Sequence, residues 1–244
     1  MKFTPVIIFC LLYSLKSSGQ VKDSLKYFIS FAGTGNINKT NSGTSYIFNN
    51  ALKFNINGEK LNINTFNSWI YGENPTKKTN NDFLSAVDID LFKKTHKWYY
   101  WVLAAYEKSY SLKIDNRFQA GGGIGYNLLD KPNSSIVLTD GILYEKSDLT
   151  EMDVNGREKY ETARNSFRLK FRFVIKEILK IDGSNYLQNS FSDKNDYNIR
   201  STTNLSFRLK KWLSFTASLT YNKIYITNSE NLLFSYGLTL EKFL

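Results

Sequence analysis

Residues 164–175 read Arg-Asn-Ser-Phe-Arg-Leu-Lys-Phe-Arg-Phe-Val-Ile, and most of them fall into two interleaved sets. Phe167, Leu169, Phe171, Phe173 and Ile175 make one set; Arg164, Ser166, Arg168, Lys170 and Arg172 make the other. Side chains on a β-strand alternate between faces with a period of two, so a strand here has an apolar face and a basic one. In a water-soluble protein the apolar face turns inward onto a core. In a membrane barrel it turns outward to lipid, and the charges line the lumen.

The flanking sequence repeats the pattern, giving about twelve strands separated by turn residues. The first runs from Lys26 to Gly35 with Tyr27, Ile29 and Phe31 in step, and a polar loop is expected over 35–43. Asn57-Gly58 marks a tight hairpin between the second and third strands. The fourth sets Phe83, Val87, Ile89 and Leu91 against Asp82, Asp88 and Asp90. The fifth, Trp98–Lys108, is aromatic on both faces, and its register stays open. The sixth follows Arg117 and interleaves Phe118, Ala120, Ile124 and Tyr126 with glycines; the seventh, Ser135–Glu145, ends beyond Asp140. Beyond residues 164–175, the ninth strand (179–188) has the weakest pattern. The tenth carries Arg200 and Arg208 opposite Leu205 and Phe207, and the last two alternate as far as Leu240.

Three features favour a membrane barrel over a soluble sandwich or lipocalin-like barrel. Connections after even strands are short and most of those after odd strands are longer, as periplasmic turns and outer loops are. Aromatics gather at strand ends: Tyr46, Trp69, Tyr71, Tyr144, Tyr160, Tyr197, Tyr221 and Tyr225 at one rim, Trp98, Tyr99, Tyr100, Trp101 and Trp212 at the other. The final strand runs to an apolar chain end, with Phe243 next to last, a terminus that barrel-assembly machinery can read. Strand plus connection averages about 19 residues, enough for the roughly 9–11 that span a bilayer.

Composition agrees. The 244-residue chain is 16% aromatic with 3 Pro, and no segment after the N-terminus is apolar enough for a spanning helix. Residues 1–19 read as a secretory signal: Lys2, an apolar run over Val6–Tyr13, then Ser17-Ser18-Gly19. Cleavage leaves residues 20–244 as one barrel domain, removes Cys10, and lowers the net charge from +10 to +8 by removing Lys2 and Lys16. A mature chain without cysteine has no disulfide and no thiolate metal site. Export argues against a nucleic-acid partner despite the basic balance.

Catalysis finds no support in the residues. His96, the single histidine, sits in the basic turn Lys93–Lys97 and reads as a solvated turn residue rather than a catalytic base. Gly121–Gly125 lacks the Lys-Ser/Thr of a phosphate loop and reads as a place of close strand approach. Asp193, Asn195 and Asp196 offer calcium-type oxygens but read first as a turn. No cofactor is expected.

Arg117, Arg164, Arg168, Lys170, Arg172, Arg200 and Arg208 should therefore form a lumen stripe, with Asp82, Asp88, Asp90, Asp140 and Glu145 as acidic partners. Paired, these charges fill the lumen; unpaired, they make an anion-selective path.

The motifs, taken in order, carry a resemblance. They are Gly33-x-Gly35-Asn36, Asn67-x-Trp69-x-Tyr71, Asn81-Asp82, Arg117 ahead of Gly121-Gly122-Gly123-Ile124-Gly125-Tyr126, Gly141-x-x-Tyr144-Glu145, and Arg164-x-Ser166-x-Arg168. The chain resembles the domain-of-unknown-function family that contains salt-induced outer membrane proteins. The likeness covers nearly all of the mature chain, and the ninth strand departs most. It implies an outer-membrane barrel of undefined activity and supplies no catalytic residue. The expectation is thus an all-β, antiparallel, up-and-down transmembrane barrel with outer-membrane lipids and the assembly machinery as partners. Its lumen is either filled or a narrow pore for a small anionic solute. A soluble periplasmic barrel or sandwich with a small ligand is the alternative.

Overall fold

A computed structural model describes residues 26–93 and 96–243. The expected signal segment, with Cys10, lies outside the described residues. Twelve strands follow one another: β1 (Lys26–Thr40), β2 (Gly43–Asn57), β3 (Leu61–Glu73), β4 (Lys78–Leu91), β5 (Trp98–Ser109), β6 (Ile114–Lys131), β7 (Ser134–Leu149), β8 (Lys159–Ile175), β9 (Leu179–Ser190), β10 (Tyr197–Lys210), β11 (Leu213–Ile224) and β12 (Ser229–Phe243). Each pairs antiparallel with its sequence neighbours, and β1 pairs with β12, so the sheet closes on itself. Closure leaves no sheet edge, the condition for backbone to cross hydrocarbon.

The faces are inverted relative to a soluble core. Phe167, Phe207, Phe215 and Phe234 are exposed on the outer surface, while Arg164 and Arg168 are buried inside. The soluble alternative requires the opposite. The register of β5 is now fixed: Trp98, Tyr100, Val102 and Tyr106 face out, and Tyr99, Trp101, Leu103 and Glu107 face in. Three aromatics placed at the rims by sequence are corrected. Tyr99 and Trp101 sit inside against Val137 and Leu143, and Tyr160 also points inward. Trp69, Tyr144, Trp98, Tyr100 and Trp212 are exposed on the outer wall, as expected.

Connections after odd strands are mostly longer than those after even strands, residues 41–42 and 92–97 being the exceptions, and this defines a turn end, holding both chain termini of the sheet, and a loop end. The turn after β8 spans three residues, 176–178, with positive φ at both Lys176 and Glu177, the central geometry that matches strand twist, and Ile178 N donates to Ile175 O at 3.1 Å. The polar loop expected over 35–43 is mostly strand: β1 and β2 pair as far as Thr40 opposite Gly43. Paired backbone satisfies the donors and acceptors that a polar loop would leave to water. The charged run Lys146–Lys159 reads from sequence as the longest loop, but β7 extends to Leu149 and the connection to β8 covers only residues 150–158.

Candidate functional site

The inward faces of β5–β10 build a belt of charge in the half of the lumen nearer the loop end. Arg117 and Arg164 are 1% and 0% exposed, and Glu145 between them is 0%. Arg164 Nη2 donates to Glu145 Oε1 at 3.0 Å, and both terminal nitrogens of Arg164 reach the Asp196 carboxylate at 2.9 Å. Arg117 donates to Ser147 and to the Tyr160 hydroxyl, and the Tyr160 hydroxyl donates to Glu145 Oε1 at 2.6 Å. Arg200 on β10 crosses the lumen to Glu107 on β5, at 2.5 and 2.6 Å. Buried charge is tolerated when each ion has partners of opposite sign, as it has here, although Arg164 Nε is buried without a hydrogen-bond partner among the described residues.

A second belt lies nearer the turn end. Arg168 on β8 reaches Asp88 on β4 at 2.6 Å, and Lys170 joins the same carboxylate at 2.8 Å. The Arg168 guanidinium lies 5.1 Å from the Trp101 ring and 5.7 Å from the Tyr186 ring. Asp90 accepts from Lys93 in the turn. Further towards this end the balance changes. Arg172 and Arg208 stand exposed and make no ion pair among the described residues. Lys53 meets the Phe66 ring rather than a carboxylate.

Glycines make room for the aromatics of β5. Trp101 pairs in register with Gly123, and Tyr99 with Gly125. A Cβ on Gly125 would meet the Tyr99 ring, and one on Gly141 would lie 2.6 Å from the Trp101 indole. The indole nitrogen then donates to the Ile124 and Asp140 carbonyls. This is the close approach expected of the glycine run. The wall formed by β1, β10, β11 and β12 is different, lined by small hydroxyls such as Thr34–Ser235 and Ser206–Thr216–Thr239.

At the loop end three connections meet. Leu112, Ile114, Leu149, Tyr160, Ile224 and Ile226 form a buried apolar cluster. The β7–β8 loop bonds to one side through Thr150 N to Lys113 O, 3.1 Å, and to the other through Val154 N to Ile226 O, 2.9 Å. It is therefore a strap across the mouth. Asp153 pins it: Oδ1 accepts the Asn155 and Arg157 amides, and Oδ2 the Arg157 guanidinium. Burial alone would push the Asp153 carboxyl up. The Arg157 amide and guanidinium and the Asn155 amide outweigh it and hold the group below its ordinary value. A depressed carboxyl stabilises above its unfolded value and loses that contribution as pH falls through its folded one. The amides of Asn155 and Arg157 should thus stay protected from hydrogen exchange near neutrality. Protection should begin to fall as pH drops below about 3.9 and be lost as it passes the lower folded value, and Asp153→Asn should remove the dependence.

The sequence-based site residues divide as follows. Arg117, Arg164, Arg168, Lys170, Arg200, Asp88 and Glu145 come together in the two belts. Asp82 shares the inward face but is bonded by Ser109 and Ser111, not by the basic stripe. Asp90 serves a turn lysine, and Arg172 and Arg208 remain unpaired at the turn end. Asp140 is a correction. It is one residue out of phase with Thr139 and Gly141, so it faces outward, where Asn165 donates to it at 2.8 Å. Sequence reasoning missed Glu107, because β5 has aromatics on both faces, and missed Asp196 as an arginine partner, because it lies in a connection. Closure of the sheet brings Glu107 to Arg200, and pairing of β8 with β9 sets the β9–β10 connection with Asp196 beside Arg164.

The family model for a protein of unknown function, DUF481, matches residues 29–231. No curated protein matches the sequence. Among solved structures, the NanC porin in a rhombohedral crystal form matches with a TM-score of 0.54 at 10% identity, over 89% of this chain and 99% of that one. An outer membrane channel from Pseudomonas putida F1 matches with a TM-score of 0.46 at 9% identity, over 91% and 96%. At such identities the likeness to the NanC porin is one of fold.

Proposed function

The chain belongs to the DUF481 family of proteins of unknown function, and from that premise we propose that it is a non-catalytic outer-membrane barrel serving as a narrow path for small anionic solutes. Its lipid would be that of the outer membrane, and its insertion would use the barrel-assembly machinery. Membership of the salt-induced group within the family belongs to the proposal and rests on motif order alone. The observation that carries the reading is the uneven charge of the lumen. Its middle is neutralised by ion pairs, whereas Arg172, Arg208 and Lys53 towards the turn end make no ion pair among the described residues. Unpaired cations on a pore wall favour anions. Signal cleavage at about residue 19 and a turn end facing the periplasm complete the proposal.

A second reading, a closed structural barrel, is favoured by the transverse Arg200–Glu107 and Arg168–Asp88 pairs and by the strap. Planar-bilayer recordings separate the two. A path gives small anion-selective currents, and the double variant Arg172→Glu with Arg208→Glu shifts the reversal potential towards cations without unfolding the barrel. Absence of current with purified, folded protein at every voltage and after removal of the strap rejects the path and leaves the structural barrel.

A further inference from the structure

One hairpin connection at the turn end departs from the others. Residues 58–60, 132–133, 176–178 and 211–212 are short turns, whereas the connection from β4 to β5 covers 92–97. It is held from both sides. Phe92 N donates to Lys60 O at 2.7 Å. Asn127 on β6 donates through Nδ2 to the Lys93 and His96 carbonyls, at 2.8 and 3.3 Å, and through its backbone N–H to Lys97 O at 2.8 Å. Phe92 has a φ of 64°, a left-handed conformation that a bulky residue rarely adopts. The result is an open cleft of about 450 Å³ on the outer wall, lined by Phe92, His96, Lys97, Trp98 and Tyr100. Tyr126 braces the Trp98 ring at a centroid distance of 4.6 Å. The floor of the cleft is thus aromatic and faces hydrocarbon, while its rim carries a lysine ammonium and an imidazole.

The charge here is unbalanced. Residues 92–97 read Phe-Lys-Lys-Thr-His-Lys and hold no carboxylate. Asp90 takes Lys93, and Lys97 stays exposed without an ion pair among the described residues. Three other turns set an acid beside their lysine, as Glu59-Lys60, Asp130-Lys131 and Lys176-Glu177. We propose that the cleft seats one anionic phospholipid of the surrounding leaflet. An acyl chain lies along Trp98 and Tyr100, and the headgroup phosphate sits between His96 and Lys97. The outer wall faces lipid, so headgroups surround the barrel at this level. Aromatic rings anchor at that interface, and a lysine at the membrane surface favours a negative headgroup over a neutral one. The proposal rests on the lipid-facing reading of the wall and on the periplasmic turn end, which makes the lipid one of the inner leaflet.

The test is native mass spectrometry of the full-length barrel in mild detergent, with phosphatidylglycerol and phosphatidylcholine of equal acyl chains as probes. Wild type should hold phosphatidylglycerol about tenfold more tightly than phosphatidylcholine. His96→Gln with Lys97→Gln should bring the two lipids within about twofold of each other. Lys108→Gln with Lys146→Gln, at the loop end, should keep the wild-type preference. Both double variants should keep the folded band on unheated gels. Equal binding of the two lipids by wild type, or a preference that survives in His96→Gln with Lys97→Gln, overturns the site alone. Displacement of the lipid by glycerol phosphate also overturns it, since the cleft would then be a site for soluble phosphate. Labelling of Lys60→Cys by an impermeant maleimide on intact cells overturns the periplasmic turn end and, with it, the inner leaflet as the source. A wild type absent from the membrane fraction overturns the lipid-facing reading as well.

Discussion

Arg164→Met should cost the barrel about 3–5 kcal/mol, the loss that follows when one partner of a buried ion pair is removed. Arg164 is wholly buried and is the hub for two carboxylates, Glu145 and Asp196. The losses are unequal. Glu145 keeps the Tyr160 hydroxyl and lies within ion-pair distance of Arg117, whereas Asp196 loses both guanidinium bonds. The double variant Arg164→Met with Asp196→Asn removes the charge left stranded and should recover at least ~1 kcal/mol of the loss. Urea titration in detergent micelles, read by the band that stays folded without boiling, measures both. Equal stability of Arg164→Met and wild type would show that water reaches this belt and that the lumen there is open.

Gly123→Val should abolish the folded band altogether. A Cβ on Gly123 would lie 2.1 Å from the Asp140 carbonyl oxygen and 2.6 Å from the Gly141 Cα. Both are backbone atoms of the paired strand, so no side-chain rotation relieves the overlap. Overpacking that rotamers can absorb costs about 1–3 kcal/mol; a clash with paired backbone must open the β6–β7 ladder or shift Trp101 from its seat. Gly33→Ala is the control. Its Cβ would meet only the Phe31 ring at 3.8 Å and Asn50 Oδ1 at 3.9 Å, which are ordinary contacts. That variant should fold with stability within about 0.5 kcal/mol of wild type. A folded Gly123→Val barrel would mean that the glycine run serves something other than close approach.

The strands, their order and most of their faces were legible in the chain because alternation is a local property. Phe167 must oppose Arg168 in any strand, whatever surrounds it, and short turns after even strands fix an up-and-down order. The inverted faces were legible for a related reason: aromatic residues at strand ends and strands long enough to span suit a bilayer better than a soluble core. β5 was not legible. Tyr99 and Trp101 are as apolar as Trp98 and Tyr100, so period alone could not tell lumen from lipid. Asp140 was misplaced because a carboxyl on an apolar strand face contradicts the pattern that assigns every other residue.

What the sequence determined by itself is the repeating unit: an amphipathic strand, apolar on one side and polar or charged on the other, made in most of the twelve strands. Tertiary structure alone decided which charges meet. Arg200 finds Glu107 and Arg168 finds Asp88 across the lumen, over separations set by barrel closure rather than by spacing along the chain. The strap likewise exists only because closure brings Lys113 and Ile226 to the two sides of one mouth.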